Sequence, residues 1–309
     1  MSEASVLLQQ VVNGLSLGAM YALLALGFTL VYGILELINF AHFNVFMVGS
    51  FIGMWALELF GLQGQSQVLG GLALAGVLLF AFVVTMLAAG VLGVAIERIS
   101  LRPLRGVPGT AAMITTIGVS YILFNIILLT AGASSQNYPD PLPVARWQVY
   151  GVTITLKEVL IWGIALVLML ALQLFVDRTR LGKAMRATAQ DPEAARMMGV
   201  NVDGVVVAAF FLGSALAGAA ALIFGLYYDY TSFIVGYTAG LRAFTAAVLG
   251  GIGSVTGAMV GGLIIGLIET LGGQLLAVRW TDVIIFSILV LVLVFVPSGL
   301  FGRASPTKS

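Results

Sequence analysis

The chain has no cysteine and a single histidine, His42. It cannot form a disulfide, a thiolate metal site or a cysteine–histidine nucleophile pair, so redox and zinc chemistry are excluded at the outset. Charge is scarce as well. Asp, Glu, Lys and Arg make up 9% of the residues, against about 25% in an ordinary soluble domain. The net charge is only +1, and no basic run interleaved with aromatics is present to hold a nucleic acid. No G-x-x-x-x-G-K-[ST] string occurs, so the chain has no Walker loop with which to hydrolyse ATP. No catalytic constellation and no metal-ligand set is expected.

What is present is apolar. Hydrophobic residues are 60% of the 309, far too many for a water-soluble surface. They cluster near 8–31, 43–60, 68–96, 109–131, 156–176, 203–226, 239–272 and 281–297. A bilayer core needs about 20 apolar residues per helix. The pattern therefore predicts an all-α, polytopic transmembrane bundle, a single domain over 1–309 with roughly eight to ten membrane segments, some broken or re-entrant. The run Val11–Tyr32 is too long for a signal-peptide core and reads as the first transmembrane helix.

Sidedness follows from the basic residues. Arg98, Arg102 and Arg105 lie in one loop, and Arg178, Arg180, Lys183, Arg186 and Arg196 in another. Both should face the cytoplasm. The segment Ser134–Thr155 between them, with Pro139, Pro141, Pro143, Trp147 and Tyr150, is expected on the other side. Counting back places the N-terminus outside, a side that a re-entrant or additional span near Gly33–His42 would reverse, and Arg303 and Lys308 put the C-terminus inside.

Two features stand out as functional candidates. The loop 177–201 is long and charged, and within it Asp191 and Pro192 make a helix start, with Glu193 in the first turn, Ala194–Met198 continuing and Gly199 able to end it. A short helix on the cytoplasmic face presents a grip for a soluble ATPase. The plain alternative is an amphipathic connector whose methionines rest on headgroups. The second feature is the run from Phe244 to Glu269, where Gly250, Gly251, Gly253, Ser254 and Gly257 would break or bend a span, as happens where helices line a cavity or pack on protein. The pairs Gly14/Gly18, Gly257/Gly261 and Gly262/Gly266 have the spacing of close helix contacts. Asp229, Arg242 and Glu269 are expected near span ends, satisfied by headgroups. His42 beside Asn39 reads as a hydrogen-bonded packing residue more than a proton carrier, and without mid-membrane acids an ion-coupled carrier is disfavoured.

Five segments carry a resemblance: NGLSLGAMYALLALGFTLVYGI (Asn13–Ile34), INFAH (Ile38–His42), ERISLRPLRG (Glu97–Gly106), DPEAARMMGVN (Asp191–Asn201) and FTAAVLGGIGSVTGAMVGG (Phe244–Gly262). Together they resemble, nearly end to end, the LIV-H-type permease subunits of bacterial ABC importers for branched-chain amino acids. One departure follows INFAH, where relatives commonly have Gly and an acidic or small polar residue and this chain has Phe43 and Asn44.

The resemblance implies a multi-pass protein of the bacterial inner membrane, surrounded by lipid. It would work with a homologous second permease, two cytoplasmic ATPase subunits that use Mg-ATP, and a periplasmic substrate-binding protein. It implies no cofactor bound by this chain and no partnership with nucleic acid. Asp191, Pro192, Glu193, Ala194, Ala195, Met198 and Gly199 then match the family's ATPase-coupling helix. Asn39, His42, Gly250, Gly251, Gly253, Ser254 and Gly257 would border the translocation path. Relatives of this pattern also import urea, short amides and other amino acids, so those cargoes stay open, as do an ion-coupled carrier and a non-transporting scaffold.

Overall fold

The computed structural model describes residues 3–62, 69–107 and 109–302. Among them are eleven α-helices: α1 (Glu3–Leu35), α2 (Ala41–Glu58), α3 (Gly71–Ile96), α4 (Gly109–Ala131), α5 (Leu156–Arg178), α6 (Arg180–Gln190), α7 (Pro192–Met197), α8 (Val202–Tyr228), α9 (Val235–Gly250), α10 (Val255–Leu276) and α11 (Thr281–Phe295). Seven of the helical segments are long and apolar enough to cross a membrane. The shorter α2 and α9 run between the same two ends of the bundle, packed inside it. Each apolar stretch of the sequence thus becomes a helix, and the stretch 239–272 becomes two, α9 and α10.

Helix α1 is the axis of the molecule. It is apolar all round, and such a helix belongs in an interior; Leu23, Leu24, Ala25 and Leu26 have at most 1% of their surface exposed. Along one side it lies against α10 with almost nothing between the backbones. A Cβ added at Gly18 would run into the backbone of Leu263, and one at Gly266 into that of Gly18. The glycine spacings of the sequence are therefore a contact of Gly14 and Gly18 with Gly262 and Gly266.

Cross-contacts define the two ends. At one, Arg102 reaches Asp203 at the start of α8 (3.0 Å), and Arg105 bridges Asp203 and the fully buried Glu97. Both basic loops therefore share one end, as the positive-inside reading requires. At the other, Gln9 of α1 exchanges two hydrogen bonds with Thr153, accepting from its N–H (2.8 Å) and donating to its carbonyl (3.0 Å). There a hairpin of β2 (Arg146–Val149) and β3 (Val152–Thr155) covers the bundle, and β1 (Gln136–Asn137) pairs antiparallel with β4 (Tyr230–Thr231). Tyr138 inserts its ring against Gly53 of α2 and Gly225 of α8, and burial pushes its phenol well above the ordinary value. The N-terminal end of α1 lies on this side, opposite the basic loops. Between Glu36 and Phe40 the chain only turns, with no extra span. Arg303 and Lys308 lie outside the described residues.

Candidate functional site

The DPEAARMMG segment folds locally as its sequence dictates. Asp191 caps α7, its Oδ1 accepting from the backbone N–H of Glu193 and of Ala194, both at 2.9 Å, and Pro192 occupies the first helical position. Gly199 ends it with φ of 83°, a left-handed conformation that favours glycine. The helix is only six residues long, too short to stand alone in water. It is held by Ala195, buried in a cluster with Val31 of α1, Leu101, Ala112 of α4, and Val202, Val206 and Phe210 of α8. On its outer side Met197 and Met198 are 82% and 84% exposed. The amphipathic α6 leads into it, with Thr179 as N-cap, Met185 buried beneath, and Arg180 and Arg186 outward. A force applied to α7 would thus pass through one continuous apolar cluster to three membrane helices.

Of the residues read as bordering a path, the structure brings five together. Gly250, Gly251, Gly253, Ser254 and Gly257 form the tight hairpin between α9 and α10. Gly251 and Gly253 take φ of 102° and 91°, and Ser254 caps α10 by accepting from the Gly257 N–H (3.1 Å). This hairpin sits at the basic end, next to Gly33 in the last turn of α1. The C-terminal segment docks on it, Leu300 and Phe301 donating from their backbone N–H groups to the carbonyls of Leu249 and Gly250 (2.9 Å each). Gly250 and Gly257 meet backbone to backbone, so the break is packed against protein.

Asn39 and His42 stand apart from that hairpin, at the entry to α2. The Asn39 side chain accepts from the Ala41 N–H (3.1 Å). His42 is buried, and its Nε2 meets the Leu24 carbonyl of α1 (3.3 Å) with the ring lying over Gly27. Those are the contacts of a packing histidine.

Charged groups thought to reach headgroups instead find each other. Arg242 of α9 lies 2.9 Å from Glu269 of α10 and 2.8 Å from Asp282 of α11, and its side chain and that of Glu269 are each only 17% exposed. Asp229 is held by Lys157 (2.6 Å), which also holds Asp140 (2.9 Å). Asp229, its side chain 55% exposed, sits at the end of α8 where a span end was expected, whereas for Arg242 and Glu269 the partner is a side chain from a separate element, which only the fold makes a neighbour. The Glu97–Arg105–Asp203 clamp went unread for the same reason, although the string ERISLRPLRG contains two of its members. The pairing of Asn44 with Ser120 of α4 was also missed; the Asn44 amide nitrogen donates to the Ser120 carbonyl (2.8 Å).

Comparison with known proteins follows the chain almost to its ends. A family described as the branched-chain amino acid transport system permease component matches residues 10–293. The chain is 39% identical over 305 residues to the high-affinity branched-chain amino acid transport system permease protein BraD of Pseudomonas aeruginosa, covering 97% of each. It is likewise 39% identical over 306 residues, with 97% of each covered, to the corresponding protein LivH of Escherichia coli K12. A solved structure, PsaBC from Streptococcus pneumoniae in complex with Fab, aligns over 97% of this chain and 92% of its own at 15% identity and a TM-score of 0.41.

Proposed function

The chain belongs to the branched-chain amino acid transport permease family, and from that premise we propose that it imports leucine, isoleucine and valine as one membrane subunit of an ABC importer in the bacterial inner membrane. The observation that carries the substrate class is the 39% identity, over 97% of the chain, with relatives named for that transport. In this reading a second, homologous permease completes the membrane part, two ATPases bind and hydrolyse Mg-ATP below it, and a periplasmic protein delivers the amino acid. This chain performs no covalent chemistry. Closing of the ATPase pair pushes on α7 from Asp191 to Gly199, and the Ala195 cluster passes the movement to α1, α4 and α8. The packed hairpin Gly250–Gly257 and the α1–α2 turn at Asn39 and His42 close the basic end of the bundle beside the amino acid's route.

The test is ATP-dependent uptake of radiolabelled leucine by proteoliposomes holding this chain with its co-encoded permease, ATPases and binding protein. Competition by isoleucine and valine, and none by urea or short amides, is the expected pattern. Competition by urea or amides alone would replace the substrate class. In the same assay the exposed pair Met197→Asp and Met198→Asp lowers uptake about tenfold or more, the effect of ~1.4 kcal/mol of lost docking, with the thermal midpoint of the chain unchanged. Uptake at the wild-type rate would remove α7 from the coupling role.

A further inference from the structure

The faces this bundle turns outward are not alike. On α3 and α5 the exposed side chains at mid-helix are apolar, as with Leu79 and Leu166 at 64% and 57% exposure. These suit a lipid boundary. Helix α4 differs. Tyr121, close to its midpoint, is 66% exposed, and Asn125 one turn later is also exposed, its amide nitrogen donating to the Tyr121 carbonyl (2.8 Å). Across from it, α9 exposes Tyr237 (61%) and Thr238. Phenol and amide groups in hydrocarbon are costly and mark cavities or protein contacts.

Between these helices, with α2 as its floor, runs a groove of about 460 Å³, within the size range of small-ligand clefts. Its walls are aromatic and aliphatic, from Phe43, Phe124, Ile117 and Leu241. At its floor lies Asn44, 93% buried, whose amide nitrogen is engaged by Ser120 and whose Oδ1 has no hydrogen-bond partner. A buried acceptor left unpaired is destabilising, and that cost is removed if the atom is satisfied in another state. Gly236 and Gly240 of α9 rest directly on Asn44 and Phe43 with no side chain between, so a small separation of α9 from α2 uncovers it.

We propose that the α2–α4–α9 groove is this subunit's half of the substrate path and takes a zwitterionic amino acid with an aliphatic side chain. The side chain lies on Phe43, Phe124 and Ile117. The ammonium group donates to Asn44 Oδ1 once α9 has moved, and the hydroxyls of Tyr121 and Tyr237 donate to the carboxylate. The assignment rests on the importer reading above and moves the substrate contacts away from the Gly250–Gly257 hairpin, which is closed by its own packing.

The absence of cysteine makes the test direct. Tyr121→Cys, Tyr237→Cys and, as a lipid-face control, Leu166→Cys are introduced singly into the complete complex in proteoliposomes. Each is exposed to a hydrophilic, membrane-impermeant methanethiosulfonate, with modification of this chain read by mass. The expected result is modification at the two groove positions and none at Leu166→Cys, slowed by leucine turnover in the presence of ATP and binding protein. Asn44→Leu raises the KM for leucine about tenfold, as loss of a hydrogen bond to a charged group does. Groove cysteines as inert as the control, in a complex that imports leucine, would overturn the proposal, and so would modification of all three alike. Groove-specific modification in a complex that imports no branched-chain amino acid would uphold the path and overturn the substrate class, so the two failures are distinct.

Discussion

Glu97 has no exposed surface, and its carboxylate is held by Arg105, which turns its other nitrogen to Asp203. Removing one partner of a buried pair strands the other charge, which costs far more than an exposed pair contributes. Arg105→Ala is therefore expected to destabilise the chain by about 3 kcal/mol. Arg102→Ala, whose side chain is 50% exposed, should cost no more than about 0.5 kcal/mol. Thermal unfolding of the two variants in detergent micelles checks this, and equal midpoints would show that Glu97 is not dependent on its partner. At this scale the sequence was partly legible. Asp191, Pro192 and Gly199 declared their cap, first-turn and terminator roles because those act within a few residues of backbone. Arg242 with Glu269, and Lys157 with Asp229, did not declare theirs, because an ion pair between helices leaves no trace in either helix's local pattern.

Among elements, α1 and α10 approach through facing glycines. An alanine methyl at Gly266 would meet the Gly18 backbone, which cannot give way as a side-chain end can. Gly266→Ala should cost about 1–3 kcal/mol as overpacking, whereas Gly76→Ala on α3, with nothing within 4 Å of the new methyl, should not lower the midpoint. The comparison separates close approach from a general aversion to alanine, and equal effects would refute the contact. G-x-x-x-G spacing made these glycines visible as packing residues. It did not say that Gly14 and Gly18 meet Gly262 and Gly266 while Gly257 meets Gly250, since spacing reveals a flat face and not its partner. The broken stretch 239–272 was legible as a break for a similar reason: glycines ease the left-handed backbone of a turn, but whether that turn sits at mid-membrane or at an end depends on what docks against it.

For the molecule as a whole, orientation is the property most easily put to test. Tyr150, 93% exposed, lies in the turn between β2 and β3, and Met198, 84% exposed, lies at the end of α7. An impermeant thiol reagent added to intact spheroplasts should modify Tyr150→Cys and spare Met198→Cys, with the reverse in inside-out vesicles; the opposite pattern would invert the topology. The membrane class, the helical stretches and the shared side of the two basic loops were determined by the sequence alone, because partition between water and hydrocarbon and the bias of Lys and Arg depend on composition over some twenty residues at a time. The exposed polar stripe on α4 and α9, the sealed acceptor at Asn44 and the closed hairpin at Gly250–Gly257 were decided only by the tertiary structure. A helix apolar enough to enter a bilayer can face lipid, a neighbour or a path equally well, and which of these Tyr121 faces is settled by how far the surrounding helices close over it.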